Sequence, residues 1–129
     1  MIYEITGKTI IDQDGNPKLK SIKGLVLTND VISAITLAEE EMRSLCATAD
    51  KTVSVESVKL LKAEYLKTKD FCGETVWSVH VADDENNTLC VFVTAEDTRK
   101  AENAVTAAYM KYNNVVSVKK TNIIYILNE

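Results

Sequence analysis

The stretch Val55-Glu56-Ser57-Val58-Lys59 returns as Val115-Val116-Ser117-Val118-Lys119, and after the same five-residue gap Tyr65-Leu66 returns as Tyr125-Ile126. Self-similarity at a fixed spacing constrains a fold more than any single residue does, because each copy must adopt similar structure and bury a similar face. Around these matches the order of elements also recurs. Ile2 to Ile11 is rich in β-branched residues and runs into Asp12-Gln13-Asp14-Gly15-Asn16-Pro17, a concentrated turn signal. A strand from about Leu19 to Thr28 follows. Asn29 or Asp30 then offers a helix N-cap, and Val31, Ala34, Ile35, Ala38, Met42 and Leu45 fall at helical spacing up to about Ala47. Val53 to about Leu66 reads as one long strand.

The second pass repeats the first. Thr75 to Ala82 alternates, with Trp77, Val79 and Val81 on one side; Asp83 to Asn87 is a polar turn; Thr88 to Thr94 returns. Glu96 to Tyr112 is helical, with Ala101 in the place of Ala34; Asn113-Asn114 stops the helix; Val115 to Leu127 is the final strand. The expectation is an α+β domain spanning 1–129. It is a tandem ββαβ repeat with halves 1–70 and 71–129, a mostly antiparallel sheet or sheets, and two amphipathic helices packed on one face. A single half is marginal alone, since one helix covers only part of a three-stranded sheet.

The ββαβ-ββαβ layout, the Val76-Trp77-Ser78-Val79 strand and the ending Val115 to Ile123 resemble a small domain-of-unknown-function family. Its members occur in Bacteroides-type gut bacteria and in their phages and mobile elements. This chain has Lys120 where members carry an acidic residue, and Ser33-Ala34 where many carry Glu-Ala. The resemblance implies a cytoplasmic accessory protein linked to phage or mobile elements, and brings no catalytic residue with it.

The chemistry the residues offer is sparse. A net charge of −4 repels phosphate backbones at long range. The three cysteines, Cys46, Cys72 and Cys90, form no CxxC pair, which fits reduced thiols in a cytoplasm rather than a disulfide scaffold. No signal-peptide pattern or bilayer-length apolar run is read, so no membrane partner is expected. With one histidine, His80, and scattered cysteines, neither a structural metal site nor any other cofactor is expected. Asp12-Gln13-Asp14-Gly15 opens like a calcium loop, but its twelfth position is Lys23, so it reads as a hairpin turn. Gly7-Lys8-Thr9 lacks the upstream glycine of a phosphate loop. Asp83-Asp84-Glu85 reads as a solvated acidic turn, with a loosely held divalent cation as the alternative.

Three functional readings remain. The leading one is a noncatalytic binding or interaction protein acting through a sheet face or inter-repeat groove, with a protein partner. Homodimerisation is expected because Leu89 to Val93 and Ile123 to Leu127 are apolar on both faces, as if a second copy covered the outer side. The second is recognition of nucleic acid or a nucleotide-like anion by Lys59, Lys62, Lys119 and Lys120 with His80; this is not favoured, since lysines on strand edges commonly serve to discourage association. The third is a small enzyme using His80 or Cys72, the latter beside Lys67 and Lys69.

Overall fold

A computed structural model describes residues 1–49, 51–68 and 74–128. It contains eight strands and two helices: β1 (Ile2–Gln13), β2 (Asn16–Leu27), α1 (Val31–Leu45), β3 (Val53–Leu61), β4 (Glu64–Leu66), β5 (Thr75–Ala82), β6 (Thr88–Ala95), α2 (Thr98–Ala108), β7 (Asn114–Lys120) and β8 (Ile123–Asn128). The strands form two four-stranded, mostly antiparallel sheets, ordered β3-β1-β2-β8 and β4-β6-β5-β7. The fold is α+β, and the element order ββαββ occurs twice.

The two long strands expected at Val53–Leu66 and Val115–Leu127 are each two strands. The first breaks at Lys62-Ala63 and the second at Thr121-Asn122, because the two parts of each bond into different sheets. β4 pairs in parallel with β6, Tyr65 opposite Phe92, and β8 joins the edge of β2. The chain accordingly gathers into two compact units, Met1–Leu61 with the segment from Tyr125, and Lys62–Ile124. The units do not follow the halves 1–70 and 71–129, since each half sends its last strand to the other half's sheet. α2 is also shorter than the expected 96–112: Tyr109 leaves helical geometry at φ −121°, ψ 64°.

Local chemistry explains the repeated outline. Asp30 and Asp97 are extended residues whose carboxylates accept the backbone N–H three positions on, from Ser33 and Lys100, each at 2.8 Å. Such caps contribute on the order of 1 kcal/mol each. Ala34 and Ala38 on α1, and Ala101 and Val105 on α2, stand at the same distances from their caps and are fully buried. The β1–β2 turn uses Asp14 and Gly15, both at positive φ (54° and 82°), the geometry of a two-residue hairpin. A register shift interrupts β1–β3 between Thr6 and Gly7, and another interrupts β5–β7 between His80 and Val81. The residues passed over, Glu56 and Val116, lie at the repeat spacing already visible in the sequence.

In the first unit α1 packs on the face carrying Tyr3, Ile5, Ile22, Val26 and Tyr125, with Met42 at its centre. Two glycines permit this. A Cβ on Gly7 would lie 2.6 Å from Met42 Sδ, and one on Gly24 would collide with the Tyr125 ring. In the second unit Val79, Val81, Val91, Val93 and Ala95 receive Ala101 and Val105 of α2. Trp77 closes that core's edge and donates Nε1–H to the Ala95 carbonyl at 2.9 Å. Val76, Phe92 and Thr94, which alternation turns away from α2, are also buried within the single chain. The two-sided apolar pattern of β6 is thus accounted for without a second copy, whereas on β8 Ile124 stays exposed.

Gly24→Ala should force Tyr125 off β2 and destabilise the protein by about 1–3 kcal/mol, the usual range for overpacking, measurable as a lower urea midpoint. Tyr125→Phe should be close to neutral at pH 7, because the buried Tyr125 hydroxyl has no hydrogen-bond partner among the described residues. Burial first, and the Glu41 charge second, push the Tyr125 phenol up to about 12. Its contribution to stability is thus intact below the unfolded value near 10 and is lost as pH climbs from there toward 12. Denaturation curves of Tyr125→Phe should lack that alkaline loss.

Candidate functional site

The five-residue turn Asp83–Asn87 centres the β5–β6 hairpin so that His80 stands opposite Cys90. Asp83 holds this turn in place. It is buried, and its Oδ1 accepts the N–H groups of Glu85 (2.9 Å) and Asn87 (2.8 Å), while Oδ2 accepts Asn87 Nδ2 (3.1 Å). Lys111 Nζ lies 3.8 Å away. Burial works against the charged carboxylate, but the donors from Asn87 and Glu85 and the Lys111 charge outweigh it and lower its pKa. Asp84 and Glu85 are exposed to solvent, while the turn is built around one buried, fully engaged aspartate. Its oxygens are taken by the chain itself, and among the described residues no group of three or more His, Cys, Asp or Glu side chains converges.

Beside this hairpin lies an open cleft of about 500 Å³, lined by Lys62, Ala63, Glu64, His80, Thr88, Leu89 and Cys90. Its size falls within the range of small-molecule pockets. The β3–β4 connector supplies Lys62 and Ala63, β4 supplies Glu64, and the β5–β6 hairpin the rest. His80 Nδ1 is 3.4 Å from Ser117 Oγ on β7, and Cys90 Sγ is 3.5 Å from Ser78 Oγ on β5. Ser78, His80, Cys90 and Ser117 form one polar cluster on the face turned away from α2. Glu64 belongs to the other face: it is opposite Val91 and hydrogen-bonds Tyr109, whose phenol is pushed up by burial and by this carboxylate.

The corresponding sheet positions in the first unit carry different chemistry. Thr6 stands opposite both Ser57 and Lys23 at the register shift, as His80 stands opposite Ser117 and Cys90. There Lys23 Nζ pairs with Glu4 Oε1 at 3.6 Å. Where the first unit has a self-neutralising ion pair, the second has a serine and a thiol, with an imidazole between.

Of the residues singled out in the sequence, Lys62 and His80 share this cleft. Lys119 and Lys120 are exposed on β7, opposite Ser78 and Trp77, and Lys120 lines a separate cleft of about 310 Å³ with Glu74 and Thr121. Lys59 is exposed on β3 of the first unit, opposite Glu4. Cys72 lies outside the described residues. Sequence reasoning assigned Cys90 to packing and overlooked Thr88; folding the hairpin about its turn would have set Cys90 beside His80. Cys46, which ends α1, is buried with its Sγ 3.4 Å from Thr48 Oγ1. No helix among the described residues is long and apolar enough to cross a membrane. No protein-family model matches the chain, and no curated protein matches it.

Asp83→Asn should lower stability at pH 7 and flatten the acid limb of the stability profile. The sign follows from the lowered pKa: the Asp83 contribution is present above its ordinary value of 3.8 and is lost as pH falls below it. Urea midpoints across pH 2–7, wild type against variant, provide the measurement.

Proposed function

We propose that this chain is a noncatalytic binding protein that takes a small ligand in the cleft lined by Lys62, His80, Thr88 and Cys90. The observation that carries the reading is the divergence of matched sheet positions. One copy has Thr6 beside the ion pair Glu4–Lys23, while the other has His80 beside Ser78 and Cys90, with the imidazole and the thiol on the wall of an open cleft. Half-buried, chemically versatile groups held on sheet strands at a cleft wall are the arrangement of a recognition surface.

Catalysis is less well supported. An activated nucleophile needs a base within about 3.2 Å and a further group to orient that base. Ser117 Oγ is 3.4 Å from His80, and the Cys90 thiol bonds Ser78 rather than the imidazole. The lysines set out for anion binding divide between the two units, and only Lys62 lines the cleft. The family resemblance adds a setting, a cytoplasmic accessory role tied to phage or mobile elements, to this reading.

A diverse small-fragment set titrated into ¹⁵N-labelled protein tests the proposal. Amide shifts should concentrate at 62–64, 80 and 88–90, and Lys62→Glu should change which fragments bind. Shifts confined to other surfaces, or none, would remove the cleft as the functional site.

A further inference from the structure

We propose that His80 and Cys90 form a two-coordinate site for a soft d¹⁰ cation, of which Cu(I) is the natural example; this rests on, and deepens, the reading of the cleft as a binding site. Directly opposed residues on neighbouring antiparallel strands hold their Cβ atoms about 4.5–5.5 Å apart, and both side chains line the same cleft. The thiol contacts Ser78 and the imidazole contacts Ser117, so neither is spent on the other. A bridging ion would hold sulfur and nitrogen roughly 4 Å apart, through thiolate–metal and imidazole–metal bonds of about 2.3 and 2.0 Å, a span that opposed side chains on neighbouring strands can adopt.

The surrounding hydroxyls suit the role. Ser117 engages Nδ1, leaving Nε2 without a partner among the described residues, and a hydrogen bond to the non-ligating nitrogen is the usual means of fixing a metal-binding imidazole. Ser78 sits against the sulfur and can donate to a thiolate. The ligand count selects the metal class. No third His, Cys, Asp or Glu converges among the described residues, so the site cannot satisfy the four-ligand preference of structural zinc or the six to eight oxygens of calcium. Thiolate and imidazole instead favour a soft ion content with two ligands. On binding, the Cys90 S–H bond breaks, its proton passes to solvent, and the S–Cu bond forms; copper remains Cu(I).

The test is an anaerobic titration of Cu(I) into the full chain against a chromogenic chelator. Wild type should bind one tight equivalent. Cys90→Ser and His80→Gln should each weaken it at least tenfold, while Cys72→Ser and Cys46→Ser should not. Because a core-adjacent variant can fail to fold, Ag(I) is also titrated into wild type with the His80 ring nitrogens observed by NMR, where Nε2 should shift. No tight equivalent, affinity unchanged by His80→Gln, loss with Cys72→Ser, or a stationary Nε2 would each overturn the proposal. A failure here alongside fragment shifts at 80 and 88–90 would reject the cation and retain the cleft.

Discussion

The addition of β8 to β2, and of β4 to β6, turns two three-stranded halves into two four-stranded sheets. A three-stranded sheet built from one half alone would leave β2 or β6 as an unpaired edge, with a row of open backbone donors and acceptors. The exchanged strands pair with part of those edges, β4 along Val91–Val93 of β6. β8 also brings Tyr125 over Gly24 and into the core beneath α1, so the first unit's hydrophobic centre is incomplete without the far end of the chain. β4 places Glu64 against Tyr109 and, with its connector, provides a wall of the cleft.

Much of this was legible in the sequence because it is governed by local rules. The helices announced themselves by period and by Asp caps, the hairpins by Asp-Gly and by the acidic turn, and the repeat by Val-x-Ser-Val-Lys. The breaks at Lys62-Ala63 and Thr121-Asn122 were not legible. Alternation reports which face a residue occupies, not which strand lies beside it, so a β-rich run reads the same whether or not it changes sheet halfway. Thr121 makes the point: its N–H (3.1 Å) and its hydroxyl (2.7 Å) both donate to the Val76 carbonyl, a contact no local pattern encodes. The equivalence of Tyr65 and Tyr125 was likewise only partial. Tyr125 faces α1, whereas Tyr65 stands opposite Phe92 on the side away from α2.

The candidate site was half legible for the same reason. His80 and Lys62 drew attention as types, but a type has no neighbours until a register is known. Cys90 looked like a packing residue because its strand is apolar on both sides; in the structure it is half-buried, at the margin of the cleft rather than within either core. The matched positions in the first unit supply a comparison inside the molecule. Similar backbone geometry surrounds Thr6 and His80, so the contrast between Glu4–Lys23 and Ser78–Cys90 reflects side-chain chemistry rather than scaffold.

Strand exchange also bears on how such a chain reaches its native state. Synthesis proceeds from the N-terminus, and early domains commonly fold as they emerge. Here β1, β2, α1 and β3 would leave the ribosome long before β8 exists to occupy the flank of β2. The opening half must wait as an unfinished sheet, its glycine-notched surface bare, until β8 has been made. Pairing over such a separation is slow, which prolongs the time for which that strand margin stays open.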